Sequence, residues 1–156
     1  MATLTPSNPI LVQGGPLKRI RQAPATVSQT WKAGELCVYT TGLATLVASD
    51  GQVVHGQFLN DQTASTTASQ LVWVGDIDAD MIFEMYELDG TLAAANLQIP
   101  YALDVTSNVA TVDVGDTGND AVKIVEIAAN YEPSRNVAAD VKARCRVRFL
   151  AAVVDG

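Results

Sequence analysis

Between Glu35 and Val122 the chain has no lysine and no arginine, although the same stretch holds thirteen acids. All ten basic residues fall in the first 34 or the last 34 of its 156 positions. Histidine is scarce too: His55 stands alone, which removes most imidazole acid–base and metal mechanisms at once. The two cysteines, Cys37 and Cys145, lack zinc-ligand spacing and sit in apolar strand-like runs, GELCVY and CRVRFL, where a free cysteine behaves as a small buried hydrophobe. A reducing compartment favours thiols, while sequence leaves open whether the two lie close enough to bridge. No apolar run reaches the roughly 20 residues of a membrane span, and the N-terminus lacks the charged start and apolar stretch of a secretory signal. A soluble protein made in the cytosol, with no membrane partner, is expected. There is no G-x-S-x-G elbow, phosphate-cradling glycine loop or Cys-His motif, so an enzyme is not expected. The net charge of -7 argues against nucleic acid as the main ligand.

What is present is apolar and β-forming. Hydrophobic residues make up 48% of the chain against 17% charged, so some apolar surface is expected to be covered by other chains. Residues 1–16, MATLTPSNPILVQGGP, are uncharged, with three prolines and two glycines around the apolar triplet Ile10, Leu11 and Val12. This reads as an extended arm that gains order by lying on another subunit. With the basic segment that follows it, the arm spans 1–30, ahead of a β domain over 31–156.

From Leu17 onward short strand-like runs alternate with turn residues. Strands are expected at Leu17–Gln22, Leu36–Thr40, Ala44–Ala48, Val53–Leu59, Leu71–Val74, Ile82–Leu88, Ala102–Val105, Ala110–Val114, Val122–Ala128 and Ala143–Val154. Between them stand turn residues such as Thr41-Gly42, Asp50-Gly51, Asp89-Gly90 and Ser107-Asn108. Only Thr91–Leu97 suggests a helical turn. The pattern predicts an all-β fold, a compact barrel or sandwich. In the last strand Cys145, Val147 and Phe149 alternate with Lys142, Arg144, Arg146 and Arg148, so one face is core and the other a row of cations. Such a row serves either as an edge guard against aggregation or as a set of forks for carboxylates of a partner.

Two motifs invite chemistry. Asp76, Asp78 and Asp80 are spaced D-x-D-x-D, with Glu87 at the twelfth position, as in a calcium-binding loop. Met81 stands where that loop needs glycine, and strand follows immediately, so an acidic turn is the expected structure. Asp116-Thr117-Gly118 matches the aspartic-protease triplet, but Gly115 replaces the apolar residue before it and a glycine-rich turn explains the same residues. No metal or cofactor is expected.

The order of segments WKAGELCVY, LVASDGQVVHGQFLNDQT, LVWVGDIDADMIFEMYELDG, IPYALDVTSNVATVD and CRVRFL, covering about Trp31 to Leu150, resembles the decoration, or cement, proteins of tailed bacteriophage capsids. The resemblance rests on the strand after the tryptophan turn, Phe83-Glu84-Met85, Tyr101 to Val105 and the terminal arginine-bearing strand. It implies a β-barrel or β-tulip module, usually a homotrimer, on the outer surface of the virion. There it would brace the major capsid protein at three-fold and quasi-three-fold positions. Under that reading Ile10, Leu11 and Val12 form an apolar strap on the shell, with Lys18, Arg19 and Arg21 as its electrostatic partners. Arg144, Arg146 and Arg148 then meet acids, for which charge sorting offers Asp76, Asp78 and Asp80 of a neighbour. The alternative of another class is a calcium-stabilised β-sandwich adhesion or carbohydrate-binding module.

Overall fold

A computed structural model describes residues 8–13, 19–48, 53–88, 92–116, 118–128 and 143–154. The short runs rich in Val, Ile, Thr and aromatic side chains do form strands, because side chains of this kind fit a pleated, half-buried surface. In chain order they are β1 (Ile10–Gln13), β2 (Arg19–Pro24), β3 (Leu36–Thr40), β4 (Leu43–Leu46), β5 (Gly56–Phe58) and β6 (Leu71–Asp76). These are followed by β7 (Ile82–Tyr86), β8 (Pro100–Thr106), β9 (Val109–Asp113), β10 (Val122–Ile127) and β11 (Arg144–Phe149). Ala94–Asn96 forms a 3-10 turn inside the segment expected to hold one. The chain therefore is all-β, as its turn spacing predicts.

Two antiparallel sheets pack together as a sandwich. Sheet 1 has the order β1-β7-β11-β10-β8-β9, and sheet 2 the order β2-β6-β5-β3-β4. Its hairpins close by local chemistry. Thr41 and Gly42 have φ of 50° and 83°, and Ser107 and Asn108 have φ of 51° and 67°, the left-handed pairs that match the twist of two-residue hairpins. The larger core lies against sheet 1, where Phe83, Met85, Val122, Ile124, Cys145, Val147 and Phe149 meet Leu36, Val47 and Val54.

Sheet 2 also curls. Its two edges touch at one parallel bridge, Ala25↔Ala44, where the Thr26 N–H donates to the Ala44 carbonyl at 3.0 Å. No closed barrel forms among the described residues, so the sandwich is the member of the expected pair that the structure matches. Inside the curl is a second core of Ala23, Trp31, Cys37, Ala44, Leu46, Phe58, Val72 and Val74, with Trp31 stacked on Phe58 at 3.9 Å. Cys37 and Cys145 thus lie in different cores, and both are free thiols.

The two ends of the chain differ from expectation. The apolar triplet of the arm includes strand β1, which pairs with β7 of its own chain in the register Ile10↔Glu84 and Leu11↔Phe83. Three consecutive apolar residues conceal a period of two, and pairing separates them: Leu11 packs on the core while Ile10 and Val12 stay exposed. At the other end β11 stops at Phe149. A helical turn, Ala151–Val154, follows, in which the Leu150 carbonyl accepts the Val153 N–H at 2.9 Å.

Candidate interaction surface

Alternation within β6 places Val72 and Val74 in the second core and turns Leu71 and Trp73 outward. The register of β2 with β6 sets Ile20 opposite Gly75 and Gln22 opposite Trp73, so Ile20 shares this outer wall. Ile20, Leu71 and Trp73 are 57%, 58% and 45% exposed, a large apolar presence on a chain with net charge -7. Gln57 stands on the same wall, opposite Gly75. Its amide donates to the carbonyls of Pro9, 2.8 Å, and Gly34, 2.9 Å, while the Asn8 amide donates to Ala33 at 3.1 Å. These bonds fasten the start of β1 beside the wall. β1 is also the edge of sheet 1, so one side of its backbone has no strand partner among the described residues. An open strand edge carrying exposed Ile10 and Val12 therefore starts where the apolar wall of sheet 2 begins.

Polar residues close one mouth of the curl. Arg21 and Asp76 both point to its interior side, and the Arg21 guanidinium meets Asp76 at 3.2 Å, donates to the Tyr39 hydroxyl at 3.1 Å and lies 4.2 Å from the Tyr39 ring centre. Tyr39 donates to Asp76 at 3.2 Å. Burial pushes the Tyr39 hydroxyl up to about 12; Cys37 and Asp76 add to the shift and Arg21 opposes it. For Arg21, burial works against the charge, yet Tyr39 and Asp76 outweigh it and the guanidinium is raised above its ordinary value. His55 accepts the Tyr39 backbone N–H at Nδ1, 3.0 Å, so it holds the end of β3. This network ties the mouth of the curl together through paired side chains.

The arginine row of β11 is graded. Its alternates Cys145, Val147 and Phe149 are buried, as the pattern predicts. Arg144 is itself only 9% exposed, forms an ion pair with Glu84 of β7 and lies 5.9 Å from the Tyr86 ring centre. Arg146 lies between Glu84 and Glu126 in register and pairs with Glu126 at 2.8 Å. Arg148 is exposed. Charge sorting along the chain pointed these arginines to acids of a neighbour; Arg144 and Arg146 instead meet acids of their own chain. Lys18 and Lys142 lie outside the described residues, and Arg19 is exposed, opposite Asp76 in register and so on the other face of β2 from Ile20.

Acids of both the acidic turn and the glycine turn are engaged within the chain. Asp78 accepts the Asp80 N–H at 2.8 Å, and Asp76 serves Arg21 and Tyr39. Glu87, the twelfth position of the calcium-like run, is fully buried. No group of three or more His, Cys, Asp or Glu that could hold a metal ion occurs among the described residues. Asp116 accepts the Gly118 N–H at 2.7 Å, the Asx turn that explains the protease-like triplet; Thr117 lies outside the described residues.

Sequence reasoning missed the apolar wall. Its signal is LVWV at Leu71–Val74: a strand apolar on both faces needs two coverings, and the described residues supply only one. No family model matches the chain, and no curated protein or solved structure matches it either.

Proposed function

We propose that this chain is a structural adhesion protein, a decoration or cement protein that binds the outside of a phage head and stabilises the shell of major capsid protein. The observation that carries the reading is the apolar wall of Ile20, Leu71 and Trp73 lying beside the open edge of β1. Aromatic and aliphatic side chains that give up water on docking supply most of the energy of a protein interface, and an open strand edge adds backbone hydrogen bonds. Ile10 and Val12 extend that surface. Repetition does the rest: a homotrimer docked at three-fold and quasi-three-fold positions engages several weak contacts at once, so avidity multiplies a modest single affinity. No reaction is involved.

The test uses heads stripped of this chain and rebound with purified protein. Ile20→Asp, Trp73→Ala and Ile10→Asp change exposed side chains and should leave the melting temperature within a few degrees of wild type. Each should weaken the apparent affinity for heads at least about tenfold, the equivalent of ~1.4 kcal/mol. Wild-type occupancy in all three variants would remove the basis of the reading.

A further inference from the structure

Beyond Arg144 and Arg146 the cation row of β11 ends differently. Arg148 stands opposite Lys123 of β10, and Lys123 stands opposite Pro100 of β8, so the register brings no acid to this rank of sheet 1. Like charges placed directly across a strand pair repel. Neither Lys123 nor Arg148 makes an ion pair or side-chain hydrogen bond among the described residues, in a chain with seven more acids than bases. The two cations share a recess of about 430 Å³ with Gln98, Val125, Leu150 and Ala151. Gln98 is left-handed, φ 64°, and its N–H donates to Ile124 at 2.8 Å, which holds the residue next to Lys123 on β10. The Leu150 N–H donates to Ala121 at 2.9 Å, fixing the opposite side. Ala79 also lines the recess.

We infer that this recess is a binding site for a carboxylate, either on a small free dicarboxylate or on the side chain of an acidic peptide segment. The guanidinium fork of Arg148 matches a planar carboxylate, Lys123 adds a point charge, and the Gln98 amide is available as a neutral donor. The rest of β11 shows the same preference, since Arg144 and Arg146 each take a carboxylate, from Glu84 and Glu126. At Arg148 the fold supplies a cation where the first two arginines receive an acid, and the recess supplies the room for an acid from outside. The volume falls within the range of small-ligand sites. This inference is independent of the capsid reading.

Isothermal titration and amide chemical-shift mapping at constant ionic strength test it, with three probes: succinate, an acetylated tetraglutamate peptide and inorganic phosphate. Saturable binding of succinate or the peptide is expected, with shifts centred on Gln98, Lys123 and Arg148. Arg148→Gln and Lys123→Gln should each weaken it at least tenfold, and Arg19→Gln, at an exposed arginine on the other sheet, should leave it unchanged. Succinate binding alone would assign a free anion, and peptide binding alone an acidic segment. Absence of saturable binding by both, equal binding in all variants, or tighter binding of phosphate would overturn the carboxylate site.

Discussion

Glu35 illustrates how one residue departs from what its chain position suggests. It opens the acidic stretch of the sequence, where a solvated charge is the ordinary reading, but it is 4% exposed and its Oε2 has no hydrogen-bond partner among the described residues. Burial raises the carboxyl above its ordinary value; the Lys32 backbone and charge pull it back, and Asp61 adds to the rise. A raised folded-state value means that the folded protein holds a proton the unfolded chain has already released. The carboxyl therefore costs the fold least below the ordinary carboxylate range, and stability falls as pH rises through the raised value. Glu35→Gln should raise the melting temperature at neutral pH, with the difference shrinking toward about pH 4. A difference that stays constant from acid to neutral pH would contradict the assignment. Other residues were legible. Cys37 and Cys145 read as buried hydrophobes because their neighbours are apolar, and burial pushes the Cys37 thiol up to about 12, which keeps it unreactive. The partners of Arg144 and Arg146 were not legible: a cross-strand carboxylate depends on which strands become neighbours, and β7 and β11 are about sixty residues apart.

Elements were readable wherever period and punctuation agreed. All ten expected strands have counterparts among the eleven described. β1 escaped because its three apolar residues show no alternation until β7 separates them. The end of β11 escaped because Ala-Ala-Val-Val fits strand or helix equally, and the buried Val154 decides locally. The curl of sheet 2 has its own requirement. Gly56, between β3 and β6, faces Cys37 and Asp76 in register. A Cβ there would sit 2.6 Å from the Gly75 carbonyl oxygen and 2.8 Å from Val74 Cγ1, and the backbone oxygen cannot step aside without parting β5 from β6. Gly56→Ala should therefore cost about 1–3 kcal/mol in urea unfolding, as overpacking typically does. A loss below ~0.5 kcal/mol, the range of a neutral surface change, would show that the strands are looser there than the geometry requires.

At the scale of the whole molecule, charge that is separated along the sequence is partly brought together in internal pairs. Arg21 with Asp76, Arg144 with Glu84 and Arg146 with Glu126 join distant segments within one chain. What remains unmatched among the described residues is an apolar wall, an open strand edge and the Lys123–Arg148 recess. The wall was only half legible: composition says that apolar surface is in excess, but which side chains carry it depends on how far sheet 1 extends over sheet 2. On the proposed reading, a protein of this kind has its function in being bound, and its place on a particle is the central claim. Mass spectrometry of gradient-purified, DNA-filled heads from the lysate in which this chain is made measures that place directly. The account predicts a fixed, near-stoichiometric ratio of this chain to the major capsid protein across the head fractions. Absence from the heads, or a ratio that drifts from fraction to fraction, would contradict it.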